Sequence, residues 1–227
     1  MNPKVLVGCP TCELYEYSLQ RYVNAVKEID YDNFDLVLVD NSKNGDYIKK
    51  IEKLGVKVIK STYYENVKKR IVDSRNLLSE YAIENEYDYF LSLEQDVLPP
   101  KNVIKQLLSR DEYIVSGVYF AYNINNGVRM LVPLLWKSVG KNEVMYLSED
   151  EVFEDRYFSV AACGLGCVLI KNEVLRYVKF RYEDSEPCFD DMFFCLDASN
   201  KGYSIYADTS IKCVHLINEK KFDVSKV

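Results

Sequence analysis

Glu94-Gln95-Asp96 is the place in this sequence where chemistry is easiest to read. The run Tyr87-Asp88-Tyr89-Phe90-Leu91-Ser92-Leu93 leads into it, and Pro99-Pro100 follows shortly after. A largely apolar run of this length reads as a strand covered on both faces. Side chains alternate along a strand, so Glu94 and Asp96 are expected to point the same way. Two carboxylates converging at the end of a buried strand are costly to leave unpaired. A hard divalent cation, which takes oxygen ligands, is a fitting partner. Open α/β sheets bind ligands beyond the carboxyl ends of their strands, where this pair would fall.

Other reactive groups each carry a plain reading beside a chemical one. Asp190-Asp191 opens a helical stretch, where Asp is favoured as a cap. His215 is the sole histidine, and Arg75 sits in a charged helical segment that reads as solvated. Gly164-Leu165-Gly166 is not a dinucleotide fingerprint: Leu169 stands where the third glycine belongs, and a strand follows. Cys9-Pro10-Thr11-Cys12 has thiol–disulfide spacing between a strand and a helix. A thioredoxin-like chain would be shorter, however, and would leave the acidic strand end unexplained. The seven cysteines are odd in number, which suits buried thiols better than a secreted disulfide framework. Trp136 and the tyrosine-rich stretch from Tyr119 to Tyr157 offer aromatic stacking surfaces, with core packing the plainer reading.

The elements that must position these residues fall into two styles. Strands are expected at Lys4–Val7, Phe34–Val39 and Val56–Ile59, ahead of the acidic strand. Helices with apolar stripes are expected at Glu13–Ile29, Asp46–Leu54, Glu65–Glu84 and Lys101–Leu108, the second stopped by Gly55. Strand–helix alternation of this kind predicts a parallel, doubly wound sheet. The second half reads as strands at Tyr113–Tyr119, Arg129–Leu135, Val144–Leu147, Cys167–Ile170, Ser204–Ala207 and Ile211–Leu216. Only two short helices, Glu173–Val178 and Asp191–Asn200, interrupt them. The expected fold class is α/β, a Rossmann-like mixed sheet flanked by helices in one domain over 1–227. Residues 1–110 form its nucleotide-binding half, 111–217 its second half and 218–227 a polar tail.

At 227 residues with 48% hydrophobic and 28% charged, the chain can bury a full core. A net charge of −6 argues against a nucleic-acid surface, which wants a basic field. No apolar run reaches the roughly 20 residues of a spanning helix, and no signal-peptide core precedes the first strand. The expected compartment is the cytoplasm, with peripheral membrane contact through substrates.

In order along the chain, Pro10-Thr11, Asp40-Asn41-Ser42, Ser74-Arg75-Asn76, Glu94-Gln95-Asp96, Gly164-Leu165-Gly166, Asp190-Asp191 and His215 form a pattern. With these, the chain resembles the GT-A glycosyltransferases, especially the inverting family-2 type, over nearly its whole length. The resemblance implies a metal-dependent transferase moving a sugar from a nucleotide diphosphate to a hydroxyl acceptor. It implies Asp96 as metal ligand, Glu94 at the metal or ribose, and His215 completing a Mn²⁺ or Mg²⁺ site. Asp191 would be the base, with Asp190 supporting it or exchanging roles with it. Pro10, Thr11, Asp40 and Ser42 would line the base and ribose pocket, with Gln95 beside them. Arg75 would face the donor, and Gly164 and Gly166 would let backbone approach the sugar or acceptor. The implied partners are a UDP- or GDP-sugar and a glycan, lipid or protein hydroxyl. Departures are Glu-Gln-Asp for the commoner Asp-x-Asp, Asp-Asp for Glu-Asp, and no Gln-x-x-Arg-Trp stretch, which argues against a processive membrane polymerase. Two rivals are a sugar-phosphate nucleotidylyltransferase, whose glycine-rich Arg-containing loop is missing after the first strand, and a non-catalytic nucleotide- or sugar-binding module.

Overall fold

In the computed structural model, which describes residues 2–125, 128–140, 143–217 and 220–223, the first half alternates as its periodicity predicts. Its elements are β1 (Val5–Thr11), α1 (Glu16–Lys27), β2 (Phe34–Asp40), α2 (Asp46–Lys53), β3 (Lys57–Lys60), α3 (Val67–Glu84), β4 (Tyr89–Leu93), β5 (Val97–Leu98) and α4 (Val103–Leu108). The second half is richer in strands than its sequence pattern shows. It contains β6 (Ile114–Val118), β7 (Phe120–Asn125), β8 (Val128–Pro133), β9 (Leu135–Gly140), β10 (Glu143–Tyr146), α5 (Glu149–Phe153), β11 (Tyr157–Val160) and β12 (Ala162–Cys163). Then come β13 (Cys167–Lys171), α6 (Asn172–Tyr177), α7 (Asp190–Asn200), β14 (Ile205–Lys212), β15 (Val214–Ile217) and β16 (Lys220–Asp223).

One eight-stranded sheet takes strands from both halves, in the order β11-β14-β6-β13-β4-β1-β2-β3. β3, β2, β1 and β4 run parallel, and β13 is inserted antiparallel between β4 and β6. Strand β1 sends the chain outward through β2 and β3, and β4 returns on its other side. The carboxyl ends of β1, β2 and β4 therefore open onto a switch point, where ligands bind in sheets of this kind.

β1 also shows how the core is divided. Leu6 packs into the cluster that holds Val72 and Leu78 of α3 and Phe194 of α7. Val5, Val7 and Cys9 pack on the opposite face with Leu19, Tyr22 and Val23 of α1 and Ile104 of α4. Period-two alternation on a strand covered by helices on both sides gives this split. Gly55 and Gly202, at φ 74° and 87°, supply the left-handed residues just past α2 and α7.

Several expectations are corrected. β1 continues through Thr11 because its whole length pairs with β2, up to Thr11 beside Asp40. The first helix is preceded by a 3₁₀ turn over Glu13–Tyr15. Ile205–Lys212 is one strand. Within the expected polar tail, Lys220–Asp223 pairs antiparallel with β15, while 224–227 lie outside the described residues. Among the described residues no helix is long and apolar enough to cross a membrane.

Candidate active site

The acidic motif does not continue the pleat of β4. Residues 94–97 form a turn closed by the Val97 N–H donating to the Glu94 carbonyl at 2.8 Å. A turn sends successive side chains apart, so the motif feeds three environments.

Glu94 meets Arg75. The guanidinium, 3% exposed, donates from Nη2 to Glu94 Oε1 at 2.6 Å and from Nη1 to Ser92 Oγ at 2.8 Å. Its Nε lies 2.7 Å from Asp190 Oδ2, an ion contact not aligned as a hydrogen bond. Arg75 is therefore a buried hub between two acids, not a solvated residue. The burial of Val72, Leu78 and Ala82 against the sheet turns this face of α3 inward. Burial opposes the charge on Arg75, but Asp190 and Glu94 outweigh it and hold its pKa above the ordinary value. Burial pushes Glu94 upward against the pull of Arg75.

Asp190 and Asp191 are the first two residues of α7, and Phe189 occupies the cap position, so neither acid is the cap. Asp190, 4% exposed, is spent on Arg75. Asp191 accepts at Oδ1 from the Met192 N–H at 2.8 Å and has no ion pair among the described residues. Burial, then the neighbouring Asp190, lifts its pKa from 3.8 to about 7. A carboxyl titrating near neutrality is poised to exchange protons.

Asp96 meets His215 through a long-range strand pairing. β5 pairs antiparallel with β15, setting Val97 beside His215, and the Leu216 N–H donates to the Asp96 carbonyl at 2.7 Å. His215 Nδ1 is committed to the Phe120 carbonyl at 2.5 Å, which leaves Nε2 facing Asp96 Oδ2 at 3.2 Å. Burial works against protonation of His215, but Asp96 outweighs it and raises its pKa. A backbone carbonyl that holds one ring nitrogen fixes the ring and leaves the other nitrogen for a ligand, as in metal-bound histidines, and here that nitrogen lies on the side of Asp96. Octahedral bonds of about 2.1 Å place adjacent ligands roughly 3 Å apart, so the Asp96–His215 pair fits one edge of such a site. Glu94 is turned to Arg75 instead. Among the described residues no three His, Cys, Asp or Glu side chains gather around one metal position. The protein would thus supply two ligands, with phosphate and water oxygens completing the shell.

The remaining expected residues divide between cleft and support. Pro10, Thr11, Gln95, Arg75, Glu94, Asp96 and His215 line a cleft of about 330 Å³. Gln95 is 2% exposed and anchored to the Tyr15 carbonyl, the Thr11 hydroxyl and the Tyr47 hydroxyl, so it forms part of the floor. Asp40 accepts from the Ser42 N–H at 3.0 Å and the Ser42 hydroxyl at 2.6 Å, and its other oxygen meets Lys60 at 2.8 Å. Asp40 and Ser42 thus brace the loop behind the wall, and Asn41 lines the cleft in their place.

A second lobe of about 200 Å³ lies beyond Arg75 and Glu94, lined by Tyr119, Leu165, Phe189, Asp190 and Asp191. Gly164 and Gly166 make room there for the Tyr119 ring, which a side chain at either position would strike. The Gly166 N–H donates to the Tyr119 hydroxyl at 3.0 Å. The close approach that these glycines permit is to a tyrosine.

Tyr119, the first residue of the tyrosine-rich stretch, packs between the two glycines, and Arg70 carries no sequence mark of its place in the cleft. Arg70 lines the cleft, stacks 4.8 Å from the Tyr63 ring and has no acidic partner among the described residues. Within Lys68-Lys69-Arg70 nothing local distinguishes it from a solvated charge. The thiol reading of Cys9 and Cys12 fails: Cys9 lies inside β1, and burial pushes both thiols up, away from the reactive thiolate. Trp136, 8% exposed against Tyr146, is core.

No family model matches the chain, and no curated protein matches it in sequence. Solved structures do match. A197 from STIV aligns with a TM-score of 0.56 at 16% identity, over 99% of this chain and 92% of that one. TarS from S. aureus, a glycosyltransferase, aligns at 0.57 and 14% identity, over 90% of this chain and 34% of its own. Its 1–349 form aligns at 0.58 and 15%, over 90% of this chain and 57% of its own. The chain therefore spans about a third of the longer TarS chain. What is shared is the fold, which in this chain is a mixed eight-stranded sheet flanked by helices, of the GT-A-like kind.

Proposed function

We propose that this protein is a glycosyltransferase that uses a divalent cation to move a sugar from a nucleotide diphosphate to a hydroxyl acceptor, with inversion, its two halves acting as one domain. The observation that carries the reading is the division of the cleft. Asp96 and His215 face each other at one end, and Asp191, titrating near 7, stands at the other across the Arg75–Glu94 partition. The GT-A-like fold, shared with a glycosyltransferase, supports it.

In this reading the donor lies in the larger lobe, its base against Pro10, Thr11 and Asn41. Arg70, which has no acidic partner among the described residues, receives the diphosphate. Asp96 and His215 would hold Mn²⁺ or Mg²⁺, which neutralises the charge that develops on the leaving diphosphate. The acceptor enters the smaller lobe, and Asp191 takes its hydroxyl proton as the oxygen attacks. Asp190 cannot share that task while Arg75 holds it, so the two acids differ in role. Arg75 fixes the partition and holds Glu94 in place beside the donor.

The test is a panel of UDP- and GDP-sugars with and without Mn²⁺, read by donor hydrolysis and thermal shift. A donor that releases its sugar and raises Tm only with the cation is expected, since ligand binding stabilises by mass action. Nucleotide binding that needs no cation, with no sugar release from any donor, would instead mark a binding module.

A further inference from the structure

Four of the seven cysteines are arranged in a way that the proposed reaction does not use. Cys163 ends β12 and Cys167 begins β13, so they bracket Gly164-Leu165-Gly166. Each faces another buried cysteine from a distant part of the chain. The Cys163 N–H lies 3.4 Å from Cys195 Sγ, and Cys195 Sγ is 3.6 Å from the Cys163 carbonyl, with the two thiols in side-chain contact. Cys167 Sγ packs against Gly117, and the Cys213 N–H donates to the carbonyl of the next residue, Val118, at 2.9 Å, which brings these two thiols together as well. All four are at most 1% exposed. Burial alone is ordinary for cysteine. Pairing is not: Cys9, Cys12 and Cys188 show no sulfur partner among the described residues.

We propose that Cys163–Cys195 and Cys167–Cys213 are two disulfide sites, which close to staple both ends of the Gly-Leu-Gly loop. The first joins the loop to α7, four residues past Asp191 and so on the same side of the helix. The second joins it to the segment two residues before His215. The loop would then be tied to the two parts of the chain that carry the candidate base and the candidate metal ligand. In each closure two S–H bonds break and one S–S bond forms. The two electrons and two protons pass to a low-molecular-weight disulfide such as oxidised glutathione, which becomes two thiols. The Cys163–Cys195 pair closes a loop over 32 positions, long enough for the constraint on the unfolded chain to be felt.

The test needs no knowledge of the substrate. The full-length protein is warmed below its Tm with oxidised glutathione, then unfolded in an alkylating agent and mapped by proteolysis and mass spectrometry. Linked peptides containing Cys163 with Cys195 and Cys167 with Cys213 are expected, with Cys9, Cys12 and Cys188 alkylated or glutathionylated. The oxidised protein should melt roughly 10 °C above the same sample reduced, and Cys195→Ser and Cys213→Ser should each remove part of that gap. All seven cysteines recovered alkylated or glutathionylated would overturn the proposal. So would linked peptides that join Cys163 to Cys167, or a Tm indifferent to reductant despite correct links.

Discussion

Glu94 and Asp190 share the Arg75 guanidinium, whereas Asp96 faces an imidazole and Asp191 accepts from its own helix, with no ion pair among the described residues. The four acids line adjoining lobes, yet they are of two kinds. The first pair is held by one shared, fixed cation and serves as architecture: it joins α3, the end of β4 and α7 beside the cleft. The second pair has unspent bonding capacity directed at the cavity. Acid content alone does not locate chemistry in such a cleft; what each acid is already bonded to does.

Breaking the first pair should have the largest effect. Arg75→Met strands the buried Asp190 carboxylate and removes the partner of the partly exposed Glu94, and unfolding in denaturant should show a loss of about 3–5 kcal/mol. Arg75→Lys should recover little of it, because one ammonium cannot span both acids as the planar fork does. If Arg75→Met unfolds like the parent, the architectural role is wrong.

Asp191→Asn should do the reverse, sparing the fold and lowering turnover about 10²–10⁴-fold. It also sharpens the contrast through pH. Asp191 binds its proton more tightly folded than unfolded, so it favours the folded state at low pH, and that preference is lost as pH rises through about 7. The stability of Asp191→Asn relative to the parent should therefore climb between pH 4 and 7 and level off above. The parent's rate should rise over the same upper range with the base form of Asp191, and a rate profile that Asp191→Asn leaves unchanged in shape would remove the base assignment. Smaller again, His215→Ala or Asp96→Asn should weaken cation-dependent donor binding by about 10–100-fold in a titration followed by thermal shift. The smallest effect belongs to Tyr119→Phe. It keeps the ring between the two glycines and removes the acceptor of the Gly166 N–H, for about 1 kcal/mol by denaturant melt.

What was legible in the sequence is what local pattern encodes. Strand–helix alternation, the acidic end of β4 and the acids opening α7 all rest on neighbours a few residues apart, and their positions came out within a few residues. The partnerships did not. Arg75 carries no mark that it will be buried, because its partners lie 19 and 115 positions away in the sequence. His215 meets Asp96 only because β5 and β15 pair, and a two-residue strand leaves no periodic signal. Between Tyr119 and Cys163, β7 to β10 and β12 form small separate sheets while β11 joins the edge of the central one, and the burial of these short strands follows neither a two-residue nor a 3.6-residue period. Glycine spacing was visible, but that it serves a tyrosine 45 residues earlier required the packing.

The two-residue ladder between β5 and β15 has a consequence for how the cleft is assembled. The candidate cation ligands are joined by a ribbon outside the eight-stranded sheet, not by the sheet itself. Small peripheral units open at lower free energy than a core. His215 can therefore part from Asp96 while the central sheet remains folded, and the amide of Leu216, bonded to the Asp96 carbonyl, is where hydrogen exchange would register that opening. Readiness to bind a cation would then be a local equilibrium of one edge, separable from whether the molecule as a whole is folded.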